Sequence, residues 1–242
     1  ERAQDRYAQA LGHFQTALAL GHPATAALHE ICGDLHTLLG EYSAALRAYE
    51  AAAALAAPPD LSRLEHKLGQ VHERRGQWEL ADSHYGAALE RYRGADDAAA
   101  LARLYVDRSR VAYGAGELDR ARDLAEEALA LATAAGDTEA EARAHNTLGI
   151  LARQAGRLEE ARASLERSLA LSASAEPSAR VAALNNLAHV HGAAGDLDGA
   201  LALLEQALIL CARHGDRHRE AALHNHRADL LHPGDVLGQA AE

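Results

Sequence analysis

Arg63, Arg103 and Arg143 recur every 40 residues, and Arg110 and Arg153 follow the last two within three helical turns. A guanidinium is a planar fork that grips carboxylates or phosphates through two parallel hydrogen bonds, so five on one helical wall would form a basic stripe. A second ladder runs through Asn146, Asn185 and Asn225. Each primary amide both donates and accepts, which is what pairing with the backbone of an extended peptide requires. Histidine is abundant, at 15 residues, and calls for a metal test. His189 and His191, like His224 and His226, stand two apart, and on a helix such pairs point to different faces. No cysteine or carboxylate cluster completes a zinc set at the usual spacing, so neither metal nor cofactor is expected. His66 and His189 leave a pH-responsive groove as an open use of imidazole.

Reaction chemistry is not in view. The chain has no GxxxxGK[ST] loop, no GxGxxG, no HExxH and no GxSxG. Glu126–Glu127 and Glu159–Glu160 sit among alternating charges, where a solvated helix face is the reading. No enzymatic activity is expected.

The elements that would position these side chains show in a repeat. Gly40, Gly76, Gly116, Gly156, Gly195 and Gly234 mark it, each followed two residues on by an apolar side chain: Tyr42, Trp78, Leu118, Leu158, Leu197 and Val236. Small residues follow five positions after the first five glycines (Ala45, Ala81, Ala121, Ala161, Ala200) and twelve after (Ala52, Ala88, Ala128, Ser168, Ala207). Seven before stand Gly33, Gly69, Ser109, Gly149 and Ala188. Glycine inside a helix costs about 1 kcal/mol against alanine, so its recurrence implies close approach of a second helix. The turn glycines suit the left-handed conformation that ends a helix. Asp, Thr and Ser between units read as N-caps, and Gly136 and Gly215 as helix stops.

These offsets resemble the tetratricopeptide repeat over essentially the whole chain. Gly40-Glu41-Tyr42-Ser43-Ala44-Ala45-Leu46-Arg47-Ala48-Tyr49 carries its small-aromatic-small signature, and Gly76 to Tyr85 repeats it with Trp78 and Ala81. Later units replace the second aromatic by Ala125, Leu165 and Leu204 and lengthen to about 40 residues, resembling the long units of bacterial signalling ATPases, transcription regulators and kinesin light chains. The resemblance implies an all-α fold, a right-handed α-solenoid whose concave wall is lined by the first helix of each unit. Phasing divides the chain into a partial repeat (1–22), repeats at 23–57, 58–94, 95–135, 136–174 and 175–214, and a partial terminal repeat (215–242), with a departure from the pattern after His232. In that frame His29, His145 and His224 share one position and His36, His72 and His191 another, so most histidines read as packing residues.

Composition narrows the partners. A formal charge of −11 argues against direct nucleic-acid binding and against anionic membranes. No apolar run approaches the roughly 20 residues of a membrane helix. Cys32 and Cys211 are isolated, consistent with a reducing, cytoplasmic setting. The absence of any methionine and the start at Glu1 suggest a segment of a longer protein. The expected role is a protein- or peptide-binding scaffold, acidic segments included among its partners. Its groove would hold Arg63, His66, Arg103, Arg110, Arg143, Asn146, Arg153, Asn185, His189 and Asn225. The alternative is a sensor arm of a larger multidomain ATPase or transcription regulator, and the residues leave oligomeric state open.

Overall fold

A computed structural model describes residues 2–92, 97–174, 177–214 and 216–232. Among the described residues there are twelve α-helices and no strand. After α1 (Arg2–Ala19) come α2 (Thr25–Leu38) and α3 (Tyr42–Leu55), then α4 (Pro58–Arg74) and α5 (Trp78–Tyr92). Next are α6 (Ala98–Gly114) and α7 (Leu118–Ala135), α8 (Thr138–Gln154) and α9 (Leu158–Leu171), and α10 (Pro177–Ala193) and α11 (Leu197–His214). A final helix, α12, covers Arg217–Leu231. The chain forms two compact units that divide between Ala121 and Arg122, within α7. Each has the α-solenoid architecture of stacked helix pairs.

The turns follow from glycine. Gly40, Gly76, Gly116, Gly156 and Gly195 have φ between 68° and 83°, where a Cβ would be strained. At each, two backbone bonds close the preceding helix. In the first, Glu41 N–H reaches His36 C=O (2.8 Å) and Gly40 N–H reaches Thr37 C=O (3.2 Å). This is the Schellman arrangement, and it satisfies carbonyls that the helix end would otherwise orphan. In three turns the same two residues are bonded again through side chains. His36 Nδ1 donates to Glu41 (2.6 Å), His72 Nδ1 to Gln77 Oε1 (2.9 Å) and His191 Nδ1 to Asp196 (2.7 Å). These histidines therefore staple turns, a role beyond packing, while His72 also stacks on the His84 ring at 5.1 Å.

Between pairs, Asp97, Asp137 and Asp216 cap the next helix, accepting from the backbone N–H three residues on at 2.9, 3.1 and 3.1 Å. Gly136 ends α7 with φ 67°, as its sequence position suggests. Gly215, Gly234 and Val236 lie outside the described residues. An Asp137→Ala variant is expected to lose about 1 kcal/mol, a drop of roughly 2–4 °C in a thermal melt.

The core is a row of small residues and knobs. The alanines five residues after the turn glycines are all fully buried; so are the small residues twelve after, Ser168 at 2% being the most exposed. Nine residues after the turn glycine comes the knob, and it seats on the small residue 16 positions earlier in the chain. A Cβ built on Gly33 would lie 2.5 Å from the Tyr49 ring, one on Gly69 2.4 Å from Tyr85, and one on Gly149 2.5 Å from Leu165. Where the small residue is Ala188, the knob is Leu204, and both are fully buried. Two knobs keep a polar tip: Tyr49 Oη donates to Asp34 (2.7 Å) and Tyr85 Oη to Glu73 (2.8 Å). Burial first, then neighbouring carboxylates, drives the Tyr85 phenol far above its ordinary range.

Candidate functional site

In the first unit the wall is built from α2, α4 and α6, whose polar residues meet across adjacent helices. Arg63 of α4 pairs with Glu30 of α2 and, at 2.8 Å, with Asp60. One turn on, Lys67 reaches Glu30 (2.8 Å) and Asp34 (2.6 Å). Between α4 and α6, His66 Nε2 contacts Asp107 Oδ2 at 2.6 Å, and its ring meets Tyr85 edge to face at 5.4 Å. Arg110 joins Asp107 (3.0 Å) to Glu73. Asp107 is 1% exposed, so its charge is held by these partners and not by water.

Arg63, Arg103 and Arg110 thus belong to a wall where carboxylates alternate with cations. The charge of Arg63 and Arg110 is met inside the protein, each spanning two carboxylates. Arg103 is exposed on α6. With Arg63 it opposes the upward push that burial and Asp97 exert on the Tyr92 phenol.

In the second unit amides and imidazoles join the first helices. Asn186 of α10 donates through Nδ2 to Asn146 Oδ1 of α8 at 2.9 Å. His226 of α12 contacts Asn185 Oδ1 of α10 through Nδ1, also at 2.9 Å. Since the amide oxygen only accepts, Nδ1 carries the proton. His189 stacks on His226 with centroids 3.5 Å apart and planes at 16°. Arg143 and Arg153 are half-buried on α8, while Asn225 is exposed on α12. Burial, with His226 and Arg153 beside it, pushes His189 down to about 4, and Asp229 opposes this. Burial likewise lowers His226.

Asn146 and Asn185 each make a separate contact between first helices, with partners the repeat position did not indicate. Asn146 meets Asn186, not Asn185, and Asn185 meets His226, not Asn225. In the second unit each of these contacts falls one residue beyond the repeat equivalent. The staple histidines carried a findable signal: His36, His72 and His191 each precede a hydrogen-bond acceptor by five residues.

Neither unit holds a metal-like constellation: among the described residues no group of three or more His, Cys, Asp or Glu could hold an ion. Among them, too, no helix is long and apolar enough to cross a membrane.

Family models of the tetratricopeptide repeat match residues 1–60, 60–134 with 116–174, and 180–220. No curated protein matches the sequence. Among solved structures, BtubC (BKLC) from P. vanneervenii is 21% identical, covering 89% of this chain and 92% of its own, with a TM-score of 0.66. The Rap conjugation gene regulator of plasmid pLS20, solved in complex with the Phr* peptide, gives 18% identity and a TM-score of 0.76, over 87% of this chain and 59% of that one. A signal transduction ATPase with numerous domains from Pyrococcus horikoshii, which has a tetratricopeptide repeat sensor, gives 14% and 0.68, over 85% and 32%. At these identities the likeness is one of fold.

Proposed function

Because this chain belongs to the tetratricopeptide repeat family, we propose that it is a protein-interaction module whose second unit binds an extended peptide along α8, α10 and α12. The observation that carries this reading is the pairing of Asn186 with Asn146. Each amide uses one of its two ends to hold the other, fixing both orientations. That leaves the Asn146 amide nitrogen as a donor and the Asn186 oxygen as an acceptor, the pair of functions one peptide unit needs. Arg153, half-buried on the same helix as Asn146, adds a preference for acidic side chains. The Rap regulator, a similar fold solved in complex with a peptide, supports a peptide as the partner class.

The first unit fits this role less well, because its Arg63 and Arg110 are committed to internal carboxylates. Its ion-pair ladder is better suited to setting the spacing of α2, α4 and α6.

The test is a random linear peptide display library panned on the protein. Recovered peptides should bind wild type and lose at least tenfold in affinity with Asn146→Ala/Asn186→Ala, while far-UV circular dichroism is unchanged. An affinity untouched by the double substitution removes this wall as the site. A second reading, a sensor arm of a larger regulator, is favoured by the similarity to the repeat sensor of the Pyrococcus protein. A nucleotide-binding loop encoded next to this segment in its gene would support that reading.

A further inference from the structure

The peptide wall of the second unit includes a pair of groups that its binding role does not require. His189 and His226 lie ring on ring at 3.5 Å, joining α10 to α12. Three side chains on one face of α12 hold that helix to the unit. Leu223 enters the apolar cluster of Val181, Leu184 and Leu204. His226, 7% exposed, lies against His189 and bonds to Asn185. Leu230 reaches Gly192 so closely that a Cβ there would stand 2.8 Å from its Cδ2. His226 is the middle point of this attachment and the only one of the three that can take up a proton.

The surroundings do not welcome a second charge. Arg153 faces the rings from α8, and Asp229 faces them from α12 itself. From α9 and α11, apolar side chains cluster with α10: Leu165 with Leu187 and Val190, and Leu204 and Ala207 with Leu184 and Ala188. With Nδ1 of His226 already donating, its Nε2 is the free basic atom, and it sits where water is scarce. A proton on either ring adds a cation beside Arg153, with one carboxylate to answer both.

We propose that the His189–His226 stack is a proton-sensitive latch that fastens α12 to α10, and that acidification releases α12 and so dismantles the third helix of the peptide wall. The regulatory meaning rests on the peptide reading above; the latch itself does not. The direction follows from linkage. Both imidazoles titrate lower in the closed unit than in water, so the opened form takes up protons more readily. The hold is complete above about pH 6.5, the ordinary histidine value, and is lost as pH falls toward the His189 value of about 4.

Hydrogen exchange read by mass spectrometry tests this on the protein alone, so failure of peptide binding would not affect the outcome. Labelling at pH 7.0 and 4.5, with times rescaled for intrinsic exchange, should show protection across residues 223–230 falling by at least about tenfold relative to α8. An equal fall in α8 and α12, or none, overturns the latch. In His189→Phe/His226→Gln the rings no longer titrate, and the differential loss should vanish; if it persists, the proposal fails. Should that variant not fold, His189→Gln, an amide that takes up no proton in this range, should shrink the differential, and an undiminished value has the same consequence.

Discussion

Gly69→Ala destabilises the first unit by about 1–3 kcal/mol, whereas Gly86→Ala stabilises it by roughly 0.5–1 kcal/mol. Both glycines lie inside helices, and helix propensity alone favours alanine at each. The difference is the neighbour. A Cβ on Gly86 meets nothing within 4 Å, while one on Gly69 would overlap the Tyr85 ring at 2.4 Å. Tyr85 has no room to yield, being fully buried with its hydroxyl bound to Glu73. Urea midpoints of the two variants should move in opposite directions, and a Gly69→Ala midpoint at or above wild type would refute the knob arrangement. Adding Tyr85→Leu should recover part of the loss, since Ala188 already tolerates Leu204.

Arg110→Met should cost about 2–3 kcal/mol with no partner present. Removing one member of a buried ion pair leaves the other charged and dry, which typically costs 3–5 kcal/mol; the figure is reduced here because Arg110 is 44% exposed. Its two carboxylates are not: Asp107 is 1% and Glu73 11% exposed. Arg110→Lys should restore little, because an ammonium lacks the fork that spans both acids. Asp107→Asn in the Arg110→Met background should return part of the stability by removing one stranded charge. Chemical denaturation of the three variants measures all of this, and an Arg110→Met value within about 0.5 kcal/mol of wild type, the level of an ordinary surface change, would show the network to be slack.

The parts of this protein that are periodic were readable from its residues. The turn glycines, the alanine rows and the Gly33, Gly69 and Gly149 seats each answer a local demand, a positive φ or a lost Cβ, and such demands leave residue identities behind. What faces what across adjacent first helices was not readable in the same way. Glu30 meets Arg63 at a separation of 33 residues, His66 meets Asp107 at 41, and Asn146 meets Asn186 at 40. Those separations shift with the length of each inter-unit loop and with helix rotation, so equivalence in the repeat did not translate into contact. Arg63 and Arg110 follow as a case in point. Their spacing suggests a ligand-facing stripe, and only the geometry reveals the carboxylates already bound to them.

The 16-residue gap between each knob and its seat bears on how such an array can be inherited. Both members lie within one helix pair, on either side of a single turn. A gene duplication or crossover whose breakpoint falls between pairs, as near Ala56 or Asp137, transmits them together, and the new neighbour need only match a row of alanines. A breakpoint at Gly76 or Gly195 separates them. It would deliver a tyrosine suited to Gly69 onto the methyl of Ala188, the overlap that a Cβ on Gly69 would make with Tyr85. Recombination among these repeats is therefore permitted at one class of junction and penalised at the other, so a knob and its seat are free to diverge from pair to pair so long as they travel together.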